Sequence, residues 1–516
     1  MKALVYQFFF SRRKNRKSGK KGIRDKQVHH SSIRVKKKVK DNIDYVKKTL
    51  DSPDDLKIRT ITLSNSSIPC AFLYIEGIVD EQSIHESVLG NLENIENVPN
   101  EPFALLTLIY SKQIALNDVT KEHDLENIII ALLSGQTILF IDGVQVALAV
   151  ETIGGNTRQI EEPLTETLIR GPRSGFVETL QTNLALIRRE AKDPNIRFKT
   201  SYGGKRTKKR IVIAYVDGIA QQTLIDEVNR RLNTLNIQMI RGSGDIEEWI
   251  EDSFLSPFPQ ILNTERPDRV AAAIMQGKIA ILVEGTPFAL IAPLNISDVL
   301  HSPEDYYERW IVGTSLRILR YLGVFISIFL PAIYVALISI QPGMIPTDLV
   351  FSIASSREGV PFTPIVEALL MVVTLELLQE AGARLPQTIG QTIGIVGGLV
   401  IGETAVQAGI VSPIMVIVVA LTAIANFSIP SYSVAISFRV VRFAFMFASA
   451  ILGLFGVVLM YIIVNIHLVN LKSIGYPFMS PFAPFVKSDW NDVIVRAPLK
   501  MLSNQSKKND SFILKG

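Results

Sequence analysis

The apolar positions of this chain follow two regimes. From about residue 55 to 293 they come in short strand-like runs, interrupted by acid–glycine turns and helical patterns. Beyond residue 320 they run on with few breaks. Tyr321–Ile340 is charge-free over 20 residues, and Val411–Ile436 and Phe443–Val469 are longer and equally free of charge. Each is long enough for one crossing of a bilayer, which takes about 20 apolar residues. Segments 362–380 and 387–408 are apolar too but carry ionisable groups, so region 321–470 holds four to five apolar segments. If all five cross, Arg384, Arg439 and Arg442 fall on the inner side, while the Lys-bearing tail at 471–516 falls outside. A re-entrant or interfacial segment in place of one crossing removes that conflict.

The soluble half repeats itself. Tyr74-Ile75-Glu76-Gly77-Ile78 returns as Tyr215-Val216-Asp217-Gly218-Ile219, and Gly135–Gly143 returns as Gly277–Gly285, an offset of about 142 residues. In the first pair a strand runs into an acid–glycine turn and then a helical pattern. In the second, strand, Asp/Glu-Gly and strand form a tight-hairpin signal, since glycine supplies the positive φ such turns need. The pattern predicts two related α/β subdomains, at 55–155 and 200–295, joined by a helical connector over 156–199, and then an α-helical polytopic membrane domain. A juxtamembrane segment at 298–320 links the two halves. It has a helix start at Ser302-Pro303-Glu304-Asp305, interfacial aromatics in Tyr306, Tyr307 and Trp310, and arginines at 309, 317 and 320 just before the first span. By the positive-inside rule, that end and the soluble half are cytoplasmic.

Charge is uneven. Residues 1–48 hold 17 Lys/Arg against 3 Asp, so this segment is +14 and the remainder is −9 of a total of +5. Residues 1–50 therefore read as a basic, disordered tail, or as a polybasic clamp on anionic lipid. No nucleic-acid-reading module accompanies the charge, so no specific nucleic-acid partner is expected. The single cysteine, Cys70, excludes an internal disulfide and a Cys-based zinc site, and fits a small buried hydrophobe. The six histidines lack metal-ligand spacing, and no phosphate-binding loop or nucleophile–base set is present, so neither a metal, a cofactor nor enzymatic activity is expected.

The candidate chemistry lies in the apolar half, because ionisable groups at membrane depth usually face a bundle interior or a water-filled path. Read as a helix, 387–408 places Thr388, Thr392, Val396, Leu399, Glu403 and Gln407 on one face, and Gly390, Gly394 and Gly397 on nearly the opposite side. The glycine side suits close helix packing. The other side, polar at both ends and apolar between, suits a pore with a hydrophobic gate and a carboxylate mouth, or interhelical hydrogen bonds in a packed bundle. In 362–380, Glu376 and Glu380 share a face, Glu380 reaches Arg384 at i, i+4, and Glu367 points nearly the other way; the segment reads equally as a span or an interfacial helix. In the connector, Arg170 and Arg173 flank a Gly-Pro breaker and form either an anion site or a structural ion pair. Three functional classes remain: a gated ion-conducting receptor subunit, a secondary transporter of ions or small solutes, and, far behind, a membrane enzyme using Arg170 and Arg173.

Several stretches carry a specific resemblance: PLTETLIRGPRSGFVETLQTNLALIRR (163–189), EDSFLSPFP (251–259), RPDRVAAAIMQGKIAILVEGTPFAL (266–290), EDYYERW (304–310) and the glycine-rich run ending GGLVIGETAVQAG (397–409). In these, the chain resembles the A subunits of the GerA family of spore germination receptors. The resemblance implies a multi-pass protein of the spore inner membrane, working with a permease-like B subunit and a lipoprotein C subunit. It further implies self-association around an ion-release path that opens when nutrient binds the complex.

Overall fold

The computed structural model describes residues 33–62, 68–81, 101–111, 119–152, 165–384, 400–486 and 489–498, together with positions 84, 99, 154, 162 and 163. Ten strands build two sheets. β1 (Leu56–Thr62), β2 (Pro69–Ile75), β3 (Val119–Glu122), β4 (Gln136–Ile141) and β5 (Ala147–Glu151) lie in the order β1-β2-β4-β5-β3. β6 (Ile196–Gly203), β7 (Lys209–Val216), β8 (Leu262–Thr264), β9 (Ile279–Val283) and β10 (Ala289–Ala292) lie in the order β6-β7-β9-β10-β8. All pairings are antiparallel, and the two orders are one topology used twice, as the internal repeat implied. The equivalent hairpins pair Leu139 with Leu148 and Ile281 with Leu290. Their turns pass through Gly143 at φ +91° and Gly285 at φ +79°, a region that strains any residue with a Cβ.

Both faces of each sheet are covered, so the central strands are apolar throughout rather than alternating with polar residues. Ala71, Leu73 and Ile75 pack under α1 (Val39–Leu50), while Cys70 and Phe72 face α2 (Pro102–Ser111). α3 (Leu125–Leu133) joins α1 on the first face, its start capped by the Asp124 side chain accepting from the Glu126 amide at 3.1 Å. Cys70 is a buried hydrophobe, as expected; burial, with the nearby Asp142 charge, pushes its thiol up to about 12. α1 corrects the expectation of a wholly disordered tail. Val39, Asn42, Val46 and Leu50 recur at helical spacing and are buried, while the lysines occupy the other faces. The high charge count hid a 3.6-residue apolar stripe.

α4 (Leu180–Glu190) is the joint between the sheets. Ala185 packs into the first core and Leu186 and Ile187 into the second, while buried Arg188 reaches Asp55 at 3.1 and 3.3 Å and lies 4.7 Å over the Phe198 ring. α5 (Gln222–Asn233) and α6 (Ser243–Ile250) cover one face of the second sheet; α4 and α7 (Pro267–Met275) cover the other. That second face belongs to one apolar core continuous with the helical half.

After α8 (Ile296–Leu300) and α9 (Glu304–Tyr307) come α10 (Trp310–Ser339), α11 (Thr347–Ser356), α12 (Pro364–Arg384), α13 (Pro413–Phe427) and α14 (Tyr432–Asn470). α10 and α14 are long and apolar enough to cross a membrane by length and composition. Three expectations change here. The run Val411–Ile436 is not one helix: α13 ends at Phe427, and Pro430 precedes the start of α14 at Tyr432. Arg439 and Arg442 lie inside α14, not in a loop. α14 itself reverses at Gly453 (φ 62°, ψ −143°). Phe438 and His467 are 29 residues apart, about 44 Å along a straight helix, yet their rings lie 6.0 and 6.2 Å from the one ring of Phe258. Phe445 and Tyr461 likewise share Phe329, at 4.9 and 6.0 Å. The element is therefore a helical hairpin, with arms of roughly 32 and 26 Å by helical rise. Gln341, just past α10, caps the far end by accepting from the Leu454 amide at 2.9 Å.

The returning arm delivers the chain to the second sheet. The β11 (Lys472–Ser473) and β12 (Tyr476–Pro477) ribbon docks there: Ser473 Oγ donates to the Gln260 carbonyl at 2.5 Å, and Tyr476 donates to Gln221 at 2.7 Å. The described residues from 471 onward thus pack back against the second sheet and the start of α10.

Candidate functional site

The charges of the helical half are gathered into three joints. In the first, α12 brings Glu376 against α14. Glu376 accepts from Arg442 at 3.3 Å and from Arg439 at 3.2 Å. Arg442, 1% exposed, also donates to the Ser327 carbonyl and hydroxyl of α10, both at 2.7 Å, and to Asn426 of α13 at 3.4 Å. One fork of donors therefore ties four helices together. Arg's planar guanidinium presents five donors in fixed, diverging directions, which suits it to acceptors on separate helices better than the compact ammonium of a lysine. Two guanidinium groups face one carboxylate.

Nearer the far end, buried Glu367 accepts from the Ser412 amide at 2.6 Å and its hydroxyl at 2.5 Å, and Arg357 lies 2.8 Å from its other oxygen. Tyr334 and Ser412 share a hydroxyl contact at 3.3 Å. Glu367 is level with Tyr334 and Glu376 with Ser327, so α12 runs antiparallel to α10, and Glu367 and Glu376 serve different joints, as their opposite helical faces implied.

The third joint is where α10 leaves the soluble lobes. Asp305 of α9 is fully buried between Arg317, at 2.9 Å, and Arg320, whose guanidinium grips both carboxylate oxygens. Burial alone would raise the Asp305 pKa, but the hydrogen bonds and charges of Arg320 and Arg317 outweigh it and hold the carboxyl below its ordinary range. The C-terminal segment closes over this joint. Arg317 donates to the Asp492 carbonyl (2.7 Å) and carboxylate (2.8 Å), Tyr306 donates to Asp492 at 2.7 Å, and Arg496 donates to the Tyr306 carbonyl at 3.1 Å. Arg317 and Arg320 are thus neutralised inside the protein rather than presented to lipid headgroups.

The remaining candidates separate. Arg170 and Arg173 are exposed and turn to different acids, Glu308 at 3.8 Å and Glu162 at 3.1 Å. Glu380 lies on the exposed side of α12, and the Arg384 side chain lies outside the described residues. Of the proposed pore face, Thr388, Thr392, Val396 and Leu399 lie outside the described residues, as do Gly390, Gly394 and Gly397. Residues 400–407 are helical, with Glu403 and Gln407 exposed and hydrogen-bonded to each other at 3.2 Å. Among the described residues no cluster of His, Cys, Asp or Glu suits a metal ion. Pattern reading had treated Arg439, Arg442, Arg317 and Arg320 as topology markers and missed their partners Ser327, Asn426, Ser412 and Asp305. The available signal was an unmatched acid, Glu376, in one apolar segment and an i, i+3 arginine pair beginning another.

Two related antiparallel sheets with helices are fused through buried ion pairs to a bundle of apolar helices, two of them long and apolar enough to cross a membrane, and the two halves share one core. Residues 44–508 match the model of the Bacillus/Clostridium GerA spore germination protein family, and the chain belongs to this family. It is 45% identical to spore germination protein GerLA of Bacillus cereus over 460 residues, covering 89% of this chain and 93% of that protein. It is 41% identical to spore germination protein B1 of Bacillus subtilis (strain 168), covering 93% and 98% of the two chains. A crystal structure of the N-terminal domain of the A subunit of the Bacillus megaterium spore germinant receptor GerK3 aligns with 51% of this chain and 97% of that one, at 33% identity and a TM-score of 0.40.

Proposed function

We propose that this chain is the A subunit of a nutrient-responsive germinant receptor, self-associating in the spore inner membrane around a gated ion-release path. It would act with a permease-like B subunit and a lipoprotein C subunit. The observation that carries the reading is the exposure of Glu403 and Gln407 on a helix in the apolar half. A carboxylate in such a segment avoids lipid. Turned away from its own core, with Gln407 beside it, it finds water where copies of the chain face one another. Large apolar side chains cover other outer surfaces of the helices, among them Ile417, Leu421, Ile424, Val440, Phe447 and Phe455, as a bilayer or neighbouring subunits require.

The face Thr388, Thr392, Val396, Leu399, Glu403 and Gln407 lines this path, with Val396 and Leu399 as its apolar constriction. Gly390, Gly394 and Gly397 pack against the neighbouring helix. The soluble lobes lie on the cytoplasmic, core side. The return of segment 471–498 to them supports an even number of crossings. The three charged joints would transmit movement of the lobes to the helices.

Reconstituted into liposomes, the protein should pass monovalent cations. Val396→Thr should raise the flux and Glu403→Gln lower it. Unchanged flux in both variants would remove this face as the path.

A further inference from the structure

Between α6 and β8 the chain passes through the turn Ser253-Phe254-Leu255-Ser256, in which the Ser256 amide donates to the Ser253 carbonyl at 3.4 Å. Its two central side chains are large and apolar, and each is 82% exposed. The turn is tied down on both sides. Gln260 accepts from the Asp252 and Ser253 amides, both at 2.9 Å, and donates to the Ser253 carbonyl at 2.6 Å. Arg231 of α5 holds Asp252 at 2.8 Å. Single exposed apolar residues are ordinary, but an adjacent pair presented outward on a turn so well fixed marks a contact surface.

The position of the turn selects its partner. Ser256 Oγ lies 2.9 Å from His467 Nε2 on the returning arm of α14, and the Phe258 ring contacts Phe438 and His467, one on each arm. The turn therefore stands at the height of those two residues. There the outer surface of α14 is apolar: Ile436 and Val440 flank Phe438, Ile466 and Val469 flank His467, and all four are 41–58% exposed. Charge begins immediately beyond. α14 ends at Asn470, Lys472 is exposed, and Asp252 pairs with Arg231 of the soluble lobe. Phe254 and Leu255 thus continue the exposed apolar band of α14 to the level where polar groups replace it. Aromatic and cationic side chains gather at that level in a membrane interface.

We infer that the Phe254-Leu255 turn inserts into the lipid bilayer at its boundary with the soluble lobes and anchors the second subdomain on the membrane surface. A second copy of the chain fits less well. Two convex side chains offer far less than the ~800 Å² per partner of a stable protein interface, whereas a fluid apolar phase needs no complementary pocket. This contact rests on the reading, proposed above, that the apolar helices lie in a membrane.

Nitroxide accessibility in the full chain tests it, in a Cys70→Ser background and in nanodiscs of phosphatidylcholine and phosphatidylglycerol. Labels are placed by Leu255→Cys, by Val440→Cys on the outer surface of α14, and by Tyr202→Cys on the edge strand β6, where the side chain is 70% exposed. Oxygen concentrates in lipid, and a neutral nickel chelate in water. The ratio of oxygen to nickel collisions at 255 should exceed that at 202 severalfold and approach that at 440. Phe254→Asp, which makes lipid contact costly, should shift the label at 255 toward water. A water-like ratio at 255 beside a lipid-like one at 440 overturns this inference alone. So does a label at 255 shielded from both reagents, the result of burial against a second copy, and so does an unchanged ratio with Phe254→Asp. Water-like ratios at both 255 and 440 instead remove the membrane reading, and this anchor with it.

Discussion

Gly453 is the position on which the arrangement of the C-terminal helices turns. Its φ of 62° and ψ of −143° are open essentially to glycine alone. A Cβ there would also lie 3.0 Å from the Gln341 side-chain oxygen, the group that caps Leu454. Gly453→Ala should cost about 1–3 kcal/mol from the backbone term, and more to the extent that Gln341 is displaced. The gain on the other side is a straight helix, so the substitution should open the hairpin as well as destabilise it. The distances are far apart. Ile436 and Ile466, both on the exposed surface, are 30 residues apart and would sit about 45 Å from each other in a continuous helix. In the hairpin they flank Phe438 and His467, whose rings are each within 6.2 Å of the Phe258 ring, so the two backbones run side by side. Nitroxide labels at 436 and 466, in a Cys70→Ser background, should report on the order of 20 Å by pulsed dipolar spectroscopy, allowing for linker length. Gly453→Ala should broaden that distribution toward the long distance. A single population near 45 Å in the otherwise unsubstituted chain would refute the hairpin, and with it the return of the C-terminal segment to the second sheet.

Two further substitutions probe the charged joints. Glu376→Gln leaves Arg439 and Arg442 facing each other without their acid. Breaking a buried pair costs about 3–5 kcal/mol, and the 22% exposure of Glu376 reduces that to roughly 2–4. The detergent-solubilised variant should melt earlier, with Arg442→Met in the same chain recovering part of the loss; an unchanged melting temperature would dismiss the joint as an energetic element. Asp305 titrates below the ordinary carboxyl value, so its stabilisation is complete above its unfolded pKa, about 3.9, and is lost as pH falls through the lower folded value. Stability profiles taken through the acid range should lose part of their downward slope in Asp305→Asn; profiles of identical shape would show that the depressed pKa contributes nothing.

Repetition was the most legible feature of the soluble half. The acid–glycine turns at Glu76-Gly77 and Asp217-Gly218 and the hairpins at Gly143 and Gly285 rest on local backbone chemistry, which a sequence displays directly. The α1 stripe was less visible because six of the residues from 34 to 48 are lysines, and composition outweighed periodicity. In the helical half, the apolar runs marked where helices occur but not where they bend. Val411–Ile436 and Phe443–Val469 differ little in hydropathy from α10, yet one is broken near Pro430 and the other belongs to an element that folds back at a single glycine.

Sequence by itself determined the two-regime architecture, the duplicated subdomain and the family, because these follow from short-range periodicity and from motifs that survive as strings. Only the tertiary structure decided what the charges are for. Arg442 meets Ser327 across 115 positions, Glu367 meets Ser412 across 45, and Asp492 meets Arg317 across 175. An ionisable side chain in an apolar segment is stable only beside its partner, and nothing in the linear order of residues says which of several distant polar groups the fold will bring to it.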